Sequence, residues 1–415
     1  MGKTISEKII ARAAGLPEVS PGDIVWIVPD LVTGYNYLGL DYVTPDIEAF
    51  GARAVKNPQN IALFIDHHIP PRSSAEAGTY IRMRKWAKKY GARLYEGLGI
   101  GHQVMMDLGL VRPGMFAASH DTQVTGAGAV GALAVGSLPL QELYTLGKTW
   151  IKVPWTIRYN ISGKLPEGVM ARDIMHMIVG EIGADGALYK TMEFGGPAIS
   201  DMSIDGRITL CNMANHAGAK AAIVSPDEKT VEYVKSRTND HFNVVAGDSD
   251  AAYEKSLDFD ISNLEPYVAA PPEVHNCKLL HEVAGEHVDV GYIGSCAGGR
   301  LEDLRAAAAI LKGKQLESGF KLYIVPTSLA IMKAAIKEGL IEIFAEAGAS
   351  VFPPTCDFCW GALGALASGQ TAITTGTLNI AGRMGSGDSR IFLASAYSVA
   401  ASAIEGRIAD PREYL

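Results

Sequence analysis

The chain has 415 residues, 48% of them apolar and 20% charged, with a formal net charge of −8. That length predicts roughly two to four domains with full-sized cores, and the acidic balance argues against a nucleic-acid or membrane partner. No apolar run reaches the roughly 18 residues that a membrane span needs, and Met1–Ile10 lacks the shape of a signal peptide. The five cysteines in so long a chain point to a reducing cytoplasm and to ligand or free thiols, not to a disulfide framework.

In chain order, Thr4–Ala14 reads as an amphipathic helix with Ile5, Ile9, Ile10 and Ala13 on one face. Ile24–Val28 reads as a buried strand, and Asn60–Ile65 as a second one that ends at Asp66-His67-His68. Polar residues just past a strand end are well placed for a crevice in an α/β sheet. A basic-faced helix over Ala75–Tyr90 and a short strand over Arg93–Tyr95 lead to the Gly-rich turn holding Gly101-His102-Gln103. Ser119-His120-Asp121-Thr122-Gln123 precedes Gly126–Gly136, whose small residues predict a tightly packed helix. Ala171–Ile182 is a second clear helix, Gly206–Ala222 a helix of small residues, and Ala269–Pro272 a linker. Strand-loop-helix units then recur: Val288–Ile293 with Glu302–Lys312, and Leu322–Pro326 with Leu329–Glu338, before Ser350–Phe352. The pattern is that of an α/β protein with mainly parallel sheets.

The densest chemistry lies in Cys356-Asp357-Phe358-Cys359 and in Gly294-Ser295-Cys296-Ala297-Gly298-Gly299-Arg300. A C-x-x-C pair alone fits a zinc half-site, a redox dithiol or an iron–sulfur ligand pair. A third cysteine in a Gly-Ser-Cys turn favours an iron–sulfur cluster with three protein ligands and one open iron, because soft thiolates suit such metals. Small buried cysteines in turns are the plainer alternative, and Cys211 and Cys277 are assigned to it. Asp66-His67, His102 and Asp121 form a second set, since a carboxylate beside an imidazole fixes its tautomer and raises its basicity. Arg300 and Arg383 are candidates to hold an anionic substrate.

Taken together, these residues resemble the aconitase and isopropylmalate dehydratase family, in its large-subunit form. The resemblance spans nearly the whole chain: Ile65-Asp66-His67, Gly101-His102-Gln103, Cys211-Asn212-Met213, Ala217–Lys220, Cys296 followed by Leu301–Arg305, Cys356 with Cys359, and Gly382-Arg383-Met384-Gly385. It implies three α/β domains, at 1–156, 157–270 and 271–415, around a 4Fe-4S cluster held by Cys296, Cys356 and Cys359. The open iron acts as a Lewis acid on a hydroxy-acid substrate. The resemblance also implies a swivel domain supplied by a separate small subunit, which brings the serine base.

The departures from the family pattern are as informative. The family's three acid–imidazole pairs match at Asp66/His67 and at His102/Asp121, but the third reads Gln123/His216 in place of histidine and glutamate. Thr122 takes a serine position beside it, with Asn212 a further substrate-binding candidate. A locally shifted loop that offers His120 is an alternative for the third pair. The family's substrate-facing arginine is Leu378, the usual Cys-Thr-Asn turn is Cys296-Ala297-Gly298, and the usual His-Asp after the first strand is Tyr35-Asn36. All of these changes lower charge or polarity. They predict a hydro-lyase for a less charged or bulkier hydroxy acid, acting with a small subunit. An ordinary 3-isopropylmalate dehydratase large subunit is the second reading, and a cluster-sensing RNA-binding regulator is a third, opposed by the −8 charge.

Overall fold

A computed structural model describes residues 2–37, 47, 49 and 51–415. The chain forms two compact units. The first holds Met1–Gly97, Gly101–Ile161 and Ala187–Phe259, and the second Leu98–Ile100, Ser162–Gly186 and Asp260–Leu415. Its strands, in chain order, are β1 (Ile24–Ile27), β2 (Leu31–Tyr35), β3 (Ile61–Ile65), β4 (Arg93–Glu96), β5 (Phe116–Ser119), β6 (Leu133–Val135) and β7 (Thr149–Lys152). They continue with β8 (Thr156–Ser162), β9 (Thr191–Gly195), β10 (Ala221–Val224) and β11 (Lys255–Asp260). The last are β12 (Tyr267–Ala269), β13 (Cys277–Leu279), β14 (Val290–Ile293), β15 (Lys321–Ile324), β16 (Ser350–Val351), β17 (Thr371–Thr374) and β18 (Arg390–Ala394).

In the first unit, β2 to β6 make a five-stranded sheet in the order β4-β3-β2-β5-β6, parallel throughout. The chain winds outward from β2 in one direction through β3 and β4, then returns to its other side at β5 and β6. The order therefore reverses between β2 and β5, and a crevice for ligands opens at such a reversal, beyond the C-terminal strand ends. Tyr35 closes β2, Asp66-His67 follow β3, and His120-Asp121 follow β5. β2, β3, β5 and β6 are buried on both faces, as parallel sheets require, while the edge strand β4 is partly exposed. The N-terminal helix Ile5–Ala14 lays Ile5, Ile9 and Ile10 onto this core. It is stapled at its start by a Thr4/Glu7 capping box and stopped by Gly15 in the left-handed region.

The second unit is built on a seven-stranded sheet in the order β13-β12-β18-β17-β14-β15-β16. The five strands from β18 to β16 are parallel, and β12 and β13 close one edge antiparallel. The same winding rule holds: β15 and β16 extend from one side of β14, β17 and β18 from the other. The reversal lies between β14, whose loop carries Cys296, and β17, whose loop carries Thr375–Leu378. A third, four-stranded sheet runs β10-β9-β8-β11. Among the described residues, no helix is long and apolar enough to cross a membrane.

Four sequence expectations are corrected. Ile24–Val28 is not a buried strand: β1 pairs only with β7 in a two-stranded ribbon, leaving Ile24 70% and Trp26 49% exposed. The buried first strand of the sheet is instead Leu31–Tyr35. Gly126–Gly136 is no α-helix but the end of a 3₁₀ segment, Thr122–Val130, followed by β6. Backbone packs against backbone there, and a Cβ on Gly128 would lie 1.9 Å from the Ala222 carbonyl oxygen. Gly206–Ala222 likewise divides into the helix Ile204–Met213, a 3₁₀ turn and β10. Ala269, expected in a linker, ends β12.

Candidate active-site and cysteine loops

In the first unit, the loop after β3 is organised by Asp66, which is 1% exposed. Its Oδ1 pairs with His67 Nδ1 at 2.7 Å and its Oδ2 accepts the Gly101 N–H at 2.8 Å. Asn36 fastens the same turn, its Oδ1 accepting the N–H groups of Asp66 and His67 at 3.0 Å each and its Nδ2 donating to the His67 carbonyl at 2.8 Å. Thus Asn36, standing where the family has aspartate, binds backbone as a neutral amide.

His102 lies in the helix Gly101–Asp107, with Nδ1 2.8 Å from the Tyr35 hydroxyl and Nε2 3.6 Å from Asp121 Oδ1. Burial works against charge on Asp121, but His102, the Gln123 N–H and His120 outweigh it and hold the carboxyl well below its ordinary range. Asp121 also caps the 3₁₀ segment, accepting the Gln123 N–H at 2.8 Å. His120 packs against the Tyr35 ring at 5.6 Å between centroids, its Nδ1 buried with no hydrogen-bond partner among the described residues. Burial pushes its pKa down, against the pull of Asp121.

Gln123 and His216 are both buried. Asn212 donates from Nδ2 to the Gln123 carbonyl at 3.2 Å, and Asn215 donates to Thr122 Oγ1 at 3.2 Å. Residues 212–215 are therefore tied to residues 122–123, and His216 follows directly. Asn212 supports the loop backbone in this arrangement, Thr122 is exposed, and Gln123 Oε1 is buried without a hydrogen-bond partner among the described residues. Gly136 makes the close approach possible: a Cβ there would fall 2.5 Å from Thr122 Cα and 2.7 Å from the Asp121 carbonyl oxygen.

In the second unit, the three cysteines follow the C-terminal ends of two parallel strands, Cys296 beyond β14 and the C-x-x-C pair beyond β16. Ser295 adopts a left-handed φ of 67° between Gly294 and Cys296, and its hydroxyl donates to the Thr375 carbonyl at 3.0 Å. Burial, and then the thiolates of Cys359, Cys356 and Cys296, push the Tyr292 hydroxyl far above its ordinary value, so one buried ring lies within electrostatic reach of all three sulfurs. Burial opposes ionisation of Cys359, but the Arg383 guanidinium and hydrogen bonds from Thr377 outweigh it, and its pKa falls. Arg383 donates from Nε to the Cys359 carbonyl at 3.1 Å, with Nη2 3.7 Å from Cys359 Sγ.

Among the described residues, no group of three or more His, Cys, Asp or Glu converges on a single ion position. A four-iron cluster bound through cysteine thiolates takes its ligands at separate irons, so they need not meet at one point. Three thiols beyond the C-terminal ends of parallel strands, one of them favoured as thiolate by an arginine, are donors of the kind such a cluster takes.

Several contributors carried no local signal in the sequence. Arg172, 3% exposed at the start of the helix Ala171–Ile182, donates to the carbonyls of Gly376 and Thr375 at 3.1 and 2.5 Å. Burial pushes its pKa down to about 10. Thr375 Oγ1 accepts the Gly294 N–H at 2.9 Å and reaches the Gly298 carbonyl at 2.8 Å, joining the β14 and β17 loops. Arg300, a candidate for substrate, is 1% exposed and donates to the Cys296 carbonyl, so it braces the cysteine turn. Leu378 is half-buried in the β17 loop.

Doubly wound sheets with acid–imidazole pairs and thiols at their strand ends define an α/β enzyme scaffold. The family model described as "Aconitase family (aconitate hydratase)" matches residues 51–406. The chain is 40% identical over 420 residues to the 3-isopropylmalate dehydratase large subunit 1 of Methanopyrus kandleri, covering 100% of both chains. It is 41% identical to the 3-isopropylmalate dehydratase large subunit of Heliobacterium modesticaldum, again over 100% of each. It is 42% identical to the large subunit 1 of Pyrococcus furiosus, over 99% of each. The chain belongs to the aconitase family and is a hydro-lyase of that superfamily.

Proposed function

We propose that the chain is the large subunit of an isopropylmalate dehydratase-type hydro-lyase, which moves or removes water on a hydroxy-diacid bearing an apolar branch. The observation that carries this is identity of 40–42% along essentially the whole length of relatives with that name. In this reading Cys296, Cys356 and Cys359 hold a 4Fe-4S cluster. When bound, it supplies a Lewis acid at the iron without a thiolate, for the substrate hydroxyl and carboxylate. Arg383 stabilises the Cys359 thiolate and offers a fork for a carboxylate. His67, held by Asp66, and His102, placed beside Asp121, position and move protons at the hydroxyl. Thr122, Gln123, Asn212 and His216 shape the rim. The serine base comes from a separate small subunit, and the chain works in a reducing compartment. The domain division at 1–156, 157–270 and 271–415 is part of the same proposal, supported by three sheets that each draw on one continuous stretch of chain.

A second reading, a related hydroxy acid with less charge than isopropylmalate, is favoured by Leu378 and by the Gln123/His216 replacement. An arginine–carboxylate pair contributes typically about 1.5–3 kcal/mol, so a substrate carboxylate facing Leu378 forfeits that. Anaerobic reconstitution with the small subunit, followed by assays on 3-isopropylmalate, citrate and apolar-substituted malates, separates the two. Turnover of isopropylmalate at ordinary rates establishes the first reading. Inertness to it, with turnover of a substituted malate, establishes the second, and inertness to every hydroxy acid overturns both.

A further inference from the structure

We propose that Tyr35 is a positioning residue: its hydroxyl donates to Nδ1 of His102 and fixes that imidazole as the Nε2–H tautomer. His67, set by Asp66, is held in the opposite tautomer to His102.

The geometry favours one direction for each bond. At His67 the partner of Nδ1 is a carboxylate oxygen, Asp66 Oδ1 at 2.7 Å. A carboxylate only accepts, so Nδ1 carries the proton and Nε2 presents its lone pair. At His102 the carboxylate is on the other side: Asp121 Oδ1 lies 3.6 Å from Nε2, beyond a hydrogen bond but close enough for its charge to favour the ring proton on that nitrogen. Nδ1 is then an acceptor, and the atom facing it is the Tyr35 hydroxyl at 2.8 Å. The competing direction, Tyr35 donating to Thr33 Oγ1, spans a longer 3.3 Å and would leave a bare Nε2 turned toward the Asp121 anion. Burial, and then the charge of Asp121, keep the Tyr35 hydroxyl far above its ordinary pKa, so it remains a donor at any working pH.

The ring has little freedom to do otherwise. Tyr35 is 1% exposed, stacks on Phe64 with 5.8 Å between centroids, and lies 4.7 Å from the His102 ring. A Cβ on Gly101 would fall 2.6 Å from both Tyr35 Cε1 and Phe64 Cγ, so this glycine lets the His102 helix seat against the two rings.

The chemistry follows. A carboxylate behind an imidazole strengthens it as a base, whereas a phenol that donates to Nδ1 blocks the nitrogen at which a second proton would enter. Charging His102 would require the Tyr35 O–H to rotate onto Thr33 or Ser119 first. His67 is thus the acceptor and His102 the donor of the pair. These roles rest on the hydro-lyase reading, but the tautomers do not.

The test is nitrogen NMR of the full-length chain carrying 15N-labelled histidine, with signals assigned through His67→Gln and His102→Gln. The expected result is a bare nitrogen at Nδ1 of His102 and at Nε2 of His67 near neutral pH. In Tyr35→Phe, His102 should lose its single tautomer and show a mixture, with His67 unmoved. A protonated Nδ1 in wild-type His102 overturns the proposal, as does an unchanged His102 in a folded Tyr35→Phe. If that variant does not fold, the wild-type tautomers alone decide. Failure to turn over any hydroxy acid would leave this result standing.

Discussion

Asp66 accepts the backbone N–H of Gly101 at 2.8 Å, so one carboxylate links the loop after β3 to the helix that presents His102. Asp66→Ala removes this bond and the His67 pair from a buried position. It should destabilise the chain by about 3 kcal/mol, read from urea unfolding. Asp66→Asn retains an acceptor for Gly101 but turns an amide toward His67. It should cost about 1–2 kcal/mol of stability while lowering turnover in the reconstituted complex roughly 10²–10⁴-fold. Wild-type turnover in Asp66→Asn would remove His67 from the chemistry.

The cysteines divide into two predicted classes. Cys296→Ser, Cys356→Ser and Cys359→Ser should each lose bound iron and sulfide after anaerobic reconstitution. Cys211→Ala and Cys277→Ala should keep them. Cys211 is buried in a helix and burial pushes its thiol far up, while that of Cys277 is pushed up to about 12, as expected of packing residues. Iron analysis and the visible absorption of the five variants check this.

Thr375→Val keeps the shape of the side chain and deletes the hydroxyl that joins Gly294 and Gly298. The loss should be about 1–3 kcal/mol, because buried backbone groups are left unpaired. Iron reconstitution should also become slower or incomplete, because the Cys296 turn loses its tie to the β17 loop. A variant as stable as wild type, with full iron uptake, would falsify the bracing role.

His120 and Asp121 should affect stability in different pH windows. The folded pKa of His120 lies below its unfolded value of about 6.5. As pH falls below that value the unfolded chain takes up a proton that the folded chain refuses, so stability declines. Asp121 is depressed, so its contribution is present above its unfolded value of about 3.9 and vanishes only in stronger acid. Between about pH 7.5 and about pH 5.5, His120→Asn should therefore show a shallower fall in Tm than wild type. Equal slopes would place the titration elsewhere.

Much of the fold was legible because apolar runs of strand length alternate with helical periods, as in β14 with the helix Leu301–Leu311 that follows it. The helix Ala171–Ile182 matches its expected limits. The family was legible because cysteine spacing and short Gly-containing turns survive as local strings. What escaped was set by distance along the chain. Arg172 reaches carbonyls more than two hundred residues away, and Thr375 looks like any threonine in a strand end until Gly294 is brought to it. Ile24–Val28 misled because periodicity reports apolar character, whereas exposure depends on whether a second layer covers the strand. Leu31–Tyr35, interrupted by a threonine and a glycine, gave the weaker pattern for the more buried strand.

The winding reversal beside β14 has an evolutionary consequence. Leu378 and its neighbours hang from β17, while the Cys296 turn hangs from the adjacent β14, and the strands themselves are buried on both faces. Exchanging the half-buried Leu378 therefore leaves the strand register untouched, whereas its neighbours Thr377, on Cys359 Sγ, and Asn379, on the Ala269 and Ala270 carbonyls, stay fixed. Such an arrangement works like a toolholder with a replaceable bit: selection can exchange the side chain at this one position, while the cysteine-bearing frame and its folding remain the inherited part.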